Sequence, residues 1–283
     1  MVVFGNQFQR EYGAAIARLL LELVQKGNQV TVEREFLEYL RAMPVDLPEV
    51  ASVDCGADIR ADVALSLGGD GTFLTTVMWV AGQGIPIIGI NTGHLGYLTT
   101  CDISEAGQTI AAWERGQCDV EERAMLTVRC DSVDIDHPVA LNEIAILRQD
   151  TSSMIELETS LDGRPLTTYK GDGLVVCTPT GSTAYNLSAG GPIMEPTTRC
   201  IALSPLSPHS LTMRPLVVPD TAVITIVTHS RAEYYQVSLD GEAVVCPRGS
   251  RVTIQRARTN VKVVQQRGHN FAATLRAKLH WGE

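Results

Sequence analysis

Residues 67–72 read Leu-Gly-Gly-Asp-Gly-Thr, one carboxylate set among three glycines. The run before them, Asp62-Val63-Ala64-Leu65-Ser66, reads as a buried strand, and residues 73–80 read as a packed helix. A glycine-rich turn between strand and helix allows close backbone approach, and the helix start offers free N–H groups that attract anions. A phosphate suits that turn. Asp70 does not suit it as a phosphate ligand, because the two charges repel. An acid held beside a bound phosphate reads instead as a base, or as a partner of the metal a nucleotide carries. A plain Asp-Gly turn closing the loop accounts for one glycine and leaves the others without a role.

Two further groupings carry polar chemistry. A strand over residues 174–178 opens into Thr178-Pro179-Thr180-Gly181-Ser182-Thr183-Ala184-Tyr185 and then a short helix. Hydroxyls and amides gathered in this way suit an adenine or a ribose, which need several directional hydrogen bonds; they also suit an ordinary Ser/Thr-capped helix start. The pair Asn142-Glu143 interrupts an apolar strand between Val139-Ala140-Leu141 and Ile144-Ala145-Ile146. Adjacent strand residues point to opposite faces, so the pair implies a ligand, a break in the sheet or an edge strand.

The elements that must position these groups change character along the chain. Residues 1–5, 29–32, 61–67 and 85–90 read as strands, with helices over 11–25, 73–80 and 103–116. Such alternation implies a parallel sheet, whose ligands gather at the carboxyl ends of the strands. Residues 120–130, 137–147, 154–161, 174–178, 222–228, 234–245 and 251–265 then read as strands, with hairpin turns at Asp162-Gly163 and Asp240-Gly241. Residues 270–281 read as a terminal helix. The expected fold is a Rossmann-like α/β domain over 1–100, with the tail 266–283 packing back on it, followed by a β-sandwich over 101–265.

Composition narrows the classes. The chain has 283 residues, 45% of them hydrophobic, enough to bury a core in each of two domains. A formal net charge of −9 disfavours nucleic acid as a partner, although residues 248–282 hold eight Lys or Arg and no acid, read as a solvated strand face and a basic helix. The apolar runs are far short of a membrane span, and the first residues carry no signal-peptide pattern. Seven irregularly spaced cysteines without a C-x-x-C pair read as reduced thiols in a cytoplasmic protein. His229, His269 and His280 have no metal-ligand spacing, and residues 131–136 read as a polar turn despite three aspartates. No protein metal site is expected.

Taken in order, Gly68-Gly69-Asp70-Gly71-Thr72, Asn91-Thr92-Gly93-His94-Leu95-Gly96-Tyr97-Leu98, Asn142-Glu143, residues 171–192, Pro205-Leu206-Ser207-Pro208-His209-Ser210-Leu211 and Arg214-Pro215 resemble the NAD kinase family over almost the whole chain. The glycine–aspartate turn alone is shared with diacylglycerol and sphingosine kinases. The Thr-Pro-Thr-Gly-Ser-Thr-Ala-Tyr segment with an upstream Asn-Glu is the specific part.

The resemblance implies transfer of the terminal phosphoryl group of ATP, or of polyphosphate, to the 2′-hydroxyl of the adenosine ribose of NAD+, with Mg2+ carried by the donor. It implies Asp70 as the base, with Gly68, Gly69, Gly71 and Thr72 near the donor phosphates. Asn142 and Glu143 would hold the ribose hydroxyls, and Thr180, Thr183, Ala184 and Tyr185 would line the adenine and nicotinamide pockets. Asp172 would reach the dinucleotide from a neighbouring subunit of a homodimer or homotetramer. His94 and His209 are candidates for phosphate contact, or only for ordering their loops. Lys170, where the family varies, implies preference for NAD+ over NADH and a contact to the product phosphate, or is a solvated loop lysine. The segment Phe4-Gly5-Asn6-Gln7-Phe8-Gln9 departs from the family's usual start and leaves the first loop's contacts open. It also lacks the G-x-G-x-x-G of a dehydrogenase. A lipid kinase would lack the Thr178–Tyr185 pattern, and a non-catalytic NAD(P) sensor would have lost Asp70.

Overall fold

The computed structural model describes residues 1–93, 96–149 and 154–282, so the predicted loop residues His94 and Leu95 lie outside the described residues. The chain divides into two compact units, residues 1–122 with 261–283 and residues 123–260.

The first unit is built on six short strands: β1 (Val2–Phe4), β2 (Thr31–Glu33), β3 (Ala51–Val53), β4 (Ala64–Leu67), β5 (Ile87–Asn91) and β6 (Cys101–Asp102). They pair in parallel in the order β3-β2-β1-β4-β5-β6. The strand order reverses at β1 and β4, and a crevice opens at such a switch point beyond the carboxyl ends of the strands. The glycine-rich turn leaves β4 at that place.

Helices α1 (Gly13–Gln25), α2 (Arg34–Arg41), α3 (Asp70–Val80) and α4 (Ala106–Glu114) link the strands. Helix α1 buries Ile16, Leu19, Leu20 and Leu23, one apolar stripe, against Val3, Val32, Leu65 and Ile88 of the sheet. Helix α2 starts where the Glu33 carboxylate accepts the amides of Glu35 and Phe36, and it buries Phe36, Leu37 and Leu40. Neither α2 nor β3 was expected from the sequence. One is two turns long, and the other is three largely exposed residues with no alternation to read.

The second unit holds two antiparallel sheets. Its strands are β7 (Cys118–Cys130), which enters from the first unit, β8 (Val139–Ala140), β9 (Glu143–Arg148), β10 (Ile155–Leu161), β11 (Arg164–Gly171), β12 (Gly173–Cys177), β13 (Cys200–Leu206), β14 (Leu216–Pro219), β15 (Ile224–His229), β16 (Tyr234–Leu239), β17 (Glu242–Pro247) and β18 (Arg251–Gln266). One sheet runs β14-β13-β12-β9-β16-β17. The other includes β11-β10-β15-β18. Inward residues of both, among them Ile144, Ile146, Leu174, Val176, Ile155, Leu157, Ile224 and Ile254, form one core, as expected of a sandwich. A short helix, α5 (Tyr185–Ser188), follows β12. The chain then closes with α6 (Phe271–Leu279), which belongs to the first unit.

The division differs from the sequence expectation of 1–100 and 101–265. Helix α4 buries Ala106 and Ile110 in the core of the first unit, which carries that unit on to residue 122. Strand β18 passes the second division point, and its Val263 pairs in parallel with Ile87. The strand expected over 137–147 is split into β8 and β9, and the cause lies in the candidate site.

Candidate active site

In the first unit, Gly69 caps α3 with extended backbone and Asp70 is the first helical residue, the position where a negative charge faces the positive helix end. Both carboxylate oxygens are held. Asp70 Oδ2 accepts the Tyr97 N–H and Oδ1 the Leu98 N–H, each at 2.9 Å. Each oxygen keeps a further lone pair. Gly96 lies so close that a Cβ there would overlap Asp70 Oδ1. The loop after β5 is therefore shaped around this carboxylate.

The glycines of the turn divide by role. A Cβ on Gly68 would overlap the Thr72 side chain, so close packing excludes any larger residue. Gly69 and Gly71 have nothing within 4 Å of where a Cβ would sit, leaving open space over the helix start. The first loop, whose contacts the sequence left open, fastens the turn from below. Asn6 Nδ2 donates to Thr72 Oγ1 at 2.6 Å, and Gln9 Nε2 donates to Leu67 O. Gln9 Oε1 is buried with no hydrogen-bond partner. Neither Asn6 nor Gln9 was singled out from the sequence, where both are ordinary loop amides.

In the second unit, the break between β8 and β9 has an electrostatic cause. Asp240, in the two-residue hairpin turn between β16 and β17, accepts the backbone N–H groups of Leu141, Asn142 and Glu143 at 2.7, 2.9 and 2.9 Å. Amides that would have entered the ladder are collected by one carboxylate. The same bend receives the threonine-rich loop: Thr178 N–H donates to Asn142 O at 2.9 Å, and Thr178 Oγ1 donates to Leu141 O at 2.6 Å. Thr178 Oγ1 in turn accepts the Gly181 N–H at 3.1 Å. A Cβ on Gly181 would overlap Asn142 O.

This knot leaves three buried acceptors with no partner: Asn142 Oδ1, Glu143 Oε2 and Thr180 Oγ1. Buried polar atoms are nearly always hydrogen-bonded, and leaving one bare costs roughly 1–3 kcal/mol. Burial and the neighbouring Asp240 carboxylate push the Glu143 carboxyl up to about 7, and the Tyr185 backbone N–H pulls it partly back. Asp240 is itself raised by burial, against the lowering effect of its three amides. Thr183 Oγ1 donates to Thr180 O at 3.4 Å, Ala184 N–H to Gly181 O at 3.0 Å, and Tyr185 is 39% exposed at the start of α5. Asn142, Glu143, Thr180, Thr183, Ala184 and Tyr185 are thus brought together.

Lys170, Asp172 and His209 are not part of that group within the chain. They lie at the opposite end of β12, roughly 20 Å away at the rise of an extended strand. Lys170, expected on a loop, sits on β11 directly across from Glu156 and forms an exposed ion pair with it at 2.9 Å. Asp172 pairs with Arg148 at 2.9 Å. His209 is exposed, and its backbone N–H bonds Lys170 O at 2.9 Å.

Residues 2–118 match the ATP-NAD kinase N-terminal domain, and residues 141–266 match the ATP-NAD kinase C-terminal domain. An NAD kinase of Bacteroides fragilis is 43% identical over 284 residues, covering 99% of this chain and 97% of that protein. The chain belongs to the ATP-NAD kinase family. It is accordingly a phosphotransferase with an alcohol acceptor, the 2′-hydroxyl of NAD. An NAD kinase of Porphyromonas gingivalis is 41% identical over 282 residues, covering 100% of the chain and 98% of its own length. Among solved structures, a yeast NADH kinase complexed with NADH shares the fold, with a TM-score of 0.88 at 24% identity over 100% of this chain and 87% of that one. An NAD kinase from Archaeoglobus fulgidus in complex with ATP superposes with a TM-score of 0.72 at 25% identity, over 98% of each chain.

Proposed function

We propose that this kinase transfers the terminal phosphoryl group of ATP to the 2′-hydroxyl of the adenosine ribose of NAD+, giving NADP+ and ADP, with Asp70 as the base. The observation that carries the binding half is the trio of buried, unpartnered acceptors at Asn142, Glu143 and Thr180. Ribose hydroxyls and an adenine amino group are donors of the kind such acceptors lack. A Glu143 carboxyl poised at about 7 both donates and accepts near neutral pH, which suits a hydroxyl partner.

The chemical half falls to the glycine-rich turn. A ribose hydroxyl is a weak nucleophile, and a fixed carboxylate assists by taking its proton as the oxygen attacks the terminal phosphorus. The new O–P bond forms as the bond to the ADP oxygen breaks, and the leaving charge goes to ADP. Two amide hydrogen bonds fix Asp70 without using all its lone pairs. The open space over Gly69 and Gly71, at the positive end of α3, suits the phosphates of the donor. ATP is the donor in this reading because the archaeal relative's structure holds it.

Magnesium enters with the triphosphate, as part of the substrate, and neutralises charge on the transferring group. The reading includes a homodimer or homotetramer, in which Asp172 of one chain serves the dinucleotide of another. It also places the enzyme in the cytoplasm. The cysteines are free thiols, which fits a reducing compartment. No helix among the described residues is long and apolar enough to cross a membrane.

The test is an assay of purified protein with NAD+, ATP and Mg2+, with NADP+ read by an NADP-specific dehydrogenase. The expected result is NADP+ formation in proportion to enzyme, with turnover lost by a factor on the order of 100 or more in Asp70→Asn while NAD+ binding by calorimetry is kept. Wild-type turnover in that variant would remove the base assignment.

A further inference from the structure

We infer that Lys278, in the last turn of α6, is a positioning residue for Asp70 and acts through the peptide group joining Tyr97 to Leu98. Lys278 Nζ donates to Tyr97 O at 3.3 Å and to Thr99 O at 3.1 Å. The N–H of Leu98, on the same peptide group as Tyr97 O, donates to Asp70 Oδ1 at 2.9 Å. One peptide group therefore lies between an ammonium and a carboxylate, its carbonyl toward the cation and its N–H toward the anion. Each charge polarises the group in the sense that strengthens its bond to the other.

The placement is specific. A lysine in the last turn of a terminal helix ordinarily extends into water, where its charge is best solvated. Here the ammonium is half-buried, 5.9 Å from the centroid of the Tyr97 ring. Burial pulls its proton affinity below the usual lysine range, and the Asp70 and Asp102 charges draw it partly back up. The helix is secured at its other end by Asn270, whose side chain accepts the Ala273 N–H at 3.1 Å. The cation is thus kept one peptide group away from Asp70. It orients the carboxylate without occupying the lone pairs that proton transfer needs.

This inference rests on Asp70 acting at the reacting hydroxyl, and the test separates the two. The full chain is assayed with NAD+ and MgATP as wild type, Lys278→Met, Lys278→Arg and Asp70→Asn. The Leu98 amide is observed in protein labelled with 13C-carbonyl tyrosine and 15N leucine. That labelling marks only the Tyr39-Leu40 and Tyr97-Leu98 peptides, and Tyr97→Phe identifies the second.

Lys278→Met is expected to lower kcat on the order of tenfold or more, with the KM for NAD+ within about twofold, and to move the Leu98 amide resonance upfield. Lys278→Arg is expected to restore most of kcat and the Leu98 resonance. An unmoved Leu98 resonance, or a wild-type kcat in Lys278→Met beside an inactive Asp70→Asn, would overturn the role of Lys278 alone. Wild-type turnover in Asp70→Asn would overturn the reading of Asp70 and this one with it. Should Lys278→Met fail to fold, Lys278→Gln replaces it with the same expectations.

Discussion

Replacing Glu143 by glutamine should stabilise the ligand-free protein by an amount that grows as pH rises from about 4.5 to about 7 and then levels off. The Glu143 side chain is 8% exposed and lies beside the Asp240 carboxylate, so ionising it places two anions in one dry bend. Its proton, ordinarily lost near 4.5, is held until about 7 in the folded chain. The folded state therefore binds more protons than the unfolded state between those two values, and stability falls as pH rises through that window. The full cost above the folded value is about 3 kcal/mol, at 1.36 kcal/mol for each tenfold in proton affinity. Glutamine cannot ionise and does not bear that cost. Urea unfolding at several pH values should show Glu143→Gln gaining on wild type by under about 1 kcal/mol at pH 5 and by about 3 kcal/mol at pH 8. The same variant should bind NAD+ more weakly, because it loses an acceptor that a ribose hydroxyl would use. A stability difference of the same size at both ends of the range would refute the argument, since only a titrating group makes it depend on pH.

Two further substitutions probe the scaffolding around the candidate site. In Gly96→Ala the new Cβ would overlap Asp70 Oδ1. A shift of the carboxylate by about 1 Å should lower kcat on the order of 100-fold with little change in NAD+ affinity, and an unchanged kcat would show that the loop yields without moving Asp70. Asp240→Asn removes the charge that holds the amides of Leu141, Asn142 and Glu143. It should raise the KM for NAD+ and destabilise the fold by about 2 kcal/mol, and the pH dependence assigned to Glu143 should shift to a lower range. An Asp240→Asn protein with wild-type KM and the same pH dependence would separate the bend from the binding group.

The sequence carried the parts of the fold where one chemical signal dominates. Helix α1 has a clean apolar stripe, β4 and β5 are short apolar runs between polar punctuation, and both two-residue hairpins announce themselves as Asp-Gly. What stayed illegible depended on partners distant in sequence. Strand β3 is a largely exposed three-residue edge, paired only through its backbone to β2. At residues 141–142 the polar pair admitted a break in the sheet as one reading among three, and its cause was hidden because the carboxylate that makes the break lies 98 residues from Asn142. Among the residues of the candidate site, Asp70, Asn142, Glu143 and Thr180 could be picked out by type and setting. Asn6, Gln9, Asp240 and Lys278 could not, since each acts by gripping backbone or side chains of a remote loop. Lys170, singled out by the segment it lies in, is one half of a cross-strand pair that its local sequence did not announce.

The four Asp-Gly dipeptides of this chain show how far residue type alone can be taken. Asp162-Gly163 and Asp240-Gly241 both have positive φ at both residues, as the tight hairpin turn requires. Asp172-Gly173 bridges two strands, and Asp70-Gly71 opens a helix. Three of the four aspartates accept backbone amides: Asp162 from Val223, Asp240 from three consecutive residues, and Asp70 from two. The fourth, Asp172, pairs with an arginine. Accepting amides therefore does not distinguish a functional aspartate from a structural one. The difference lies in what the gathered segment carries. The Asp162 bond secures a turn beside an ordinary strand. The Asp240 bonds shape a bend whose own side chains, Asn142 and Glu143, end in bare buried acceptors. Asp70 alone combines two gripping amides with a helix start, open space over its glycine neighbours and a cation one peptide group away. A carboxylate so fixed, with open space over the glycines beside it, is placed as a base would need to be, and that placement comes from Gly96, Tyr97, Leu98 and Lys278 as much as from Asp70 itself.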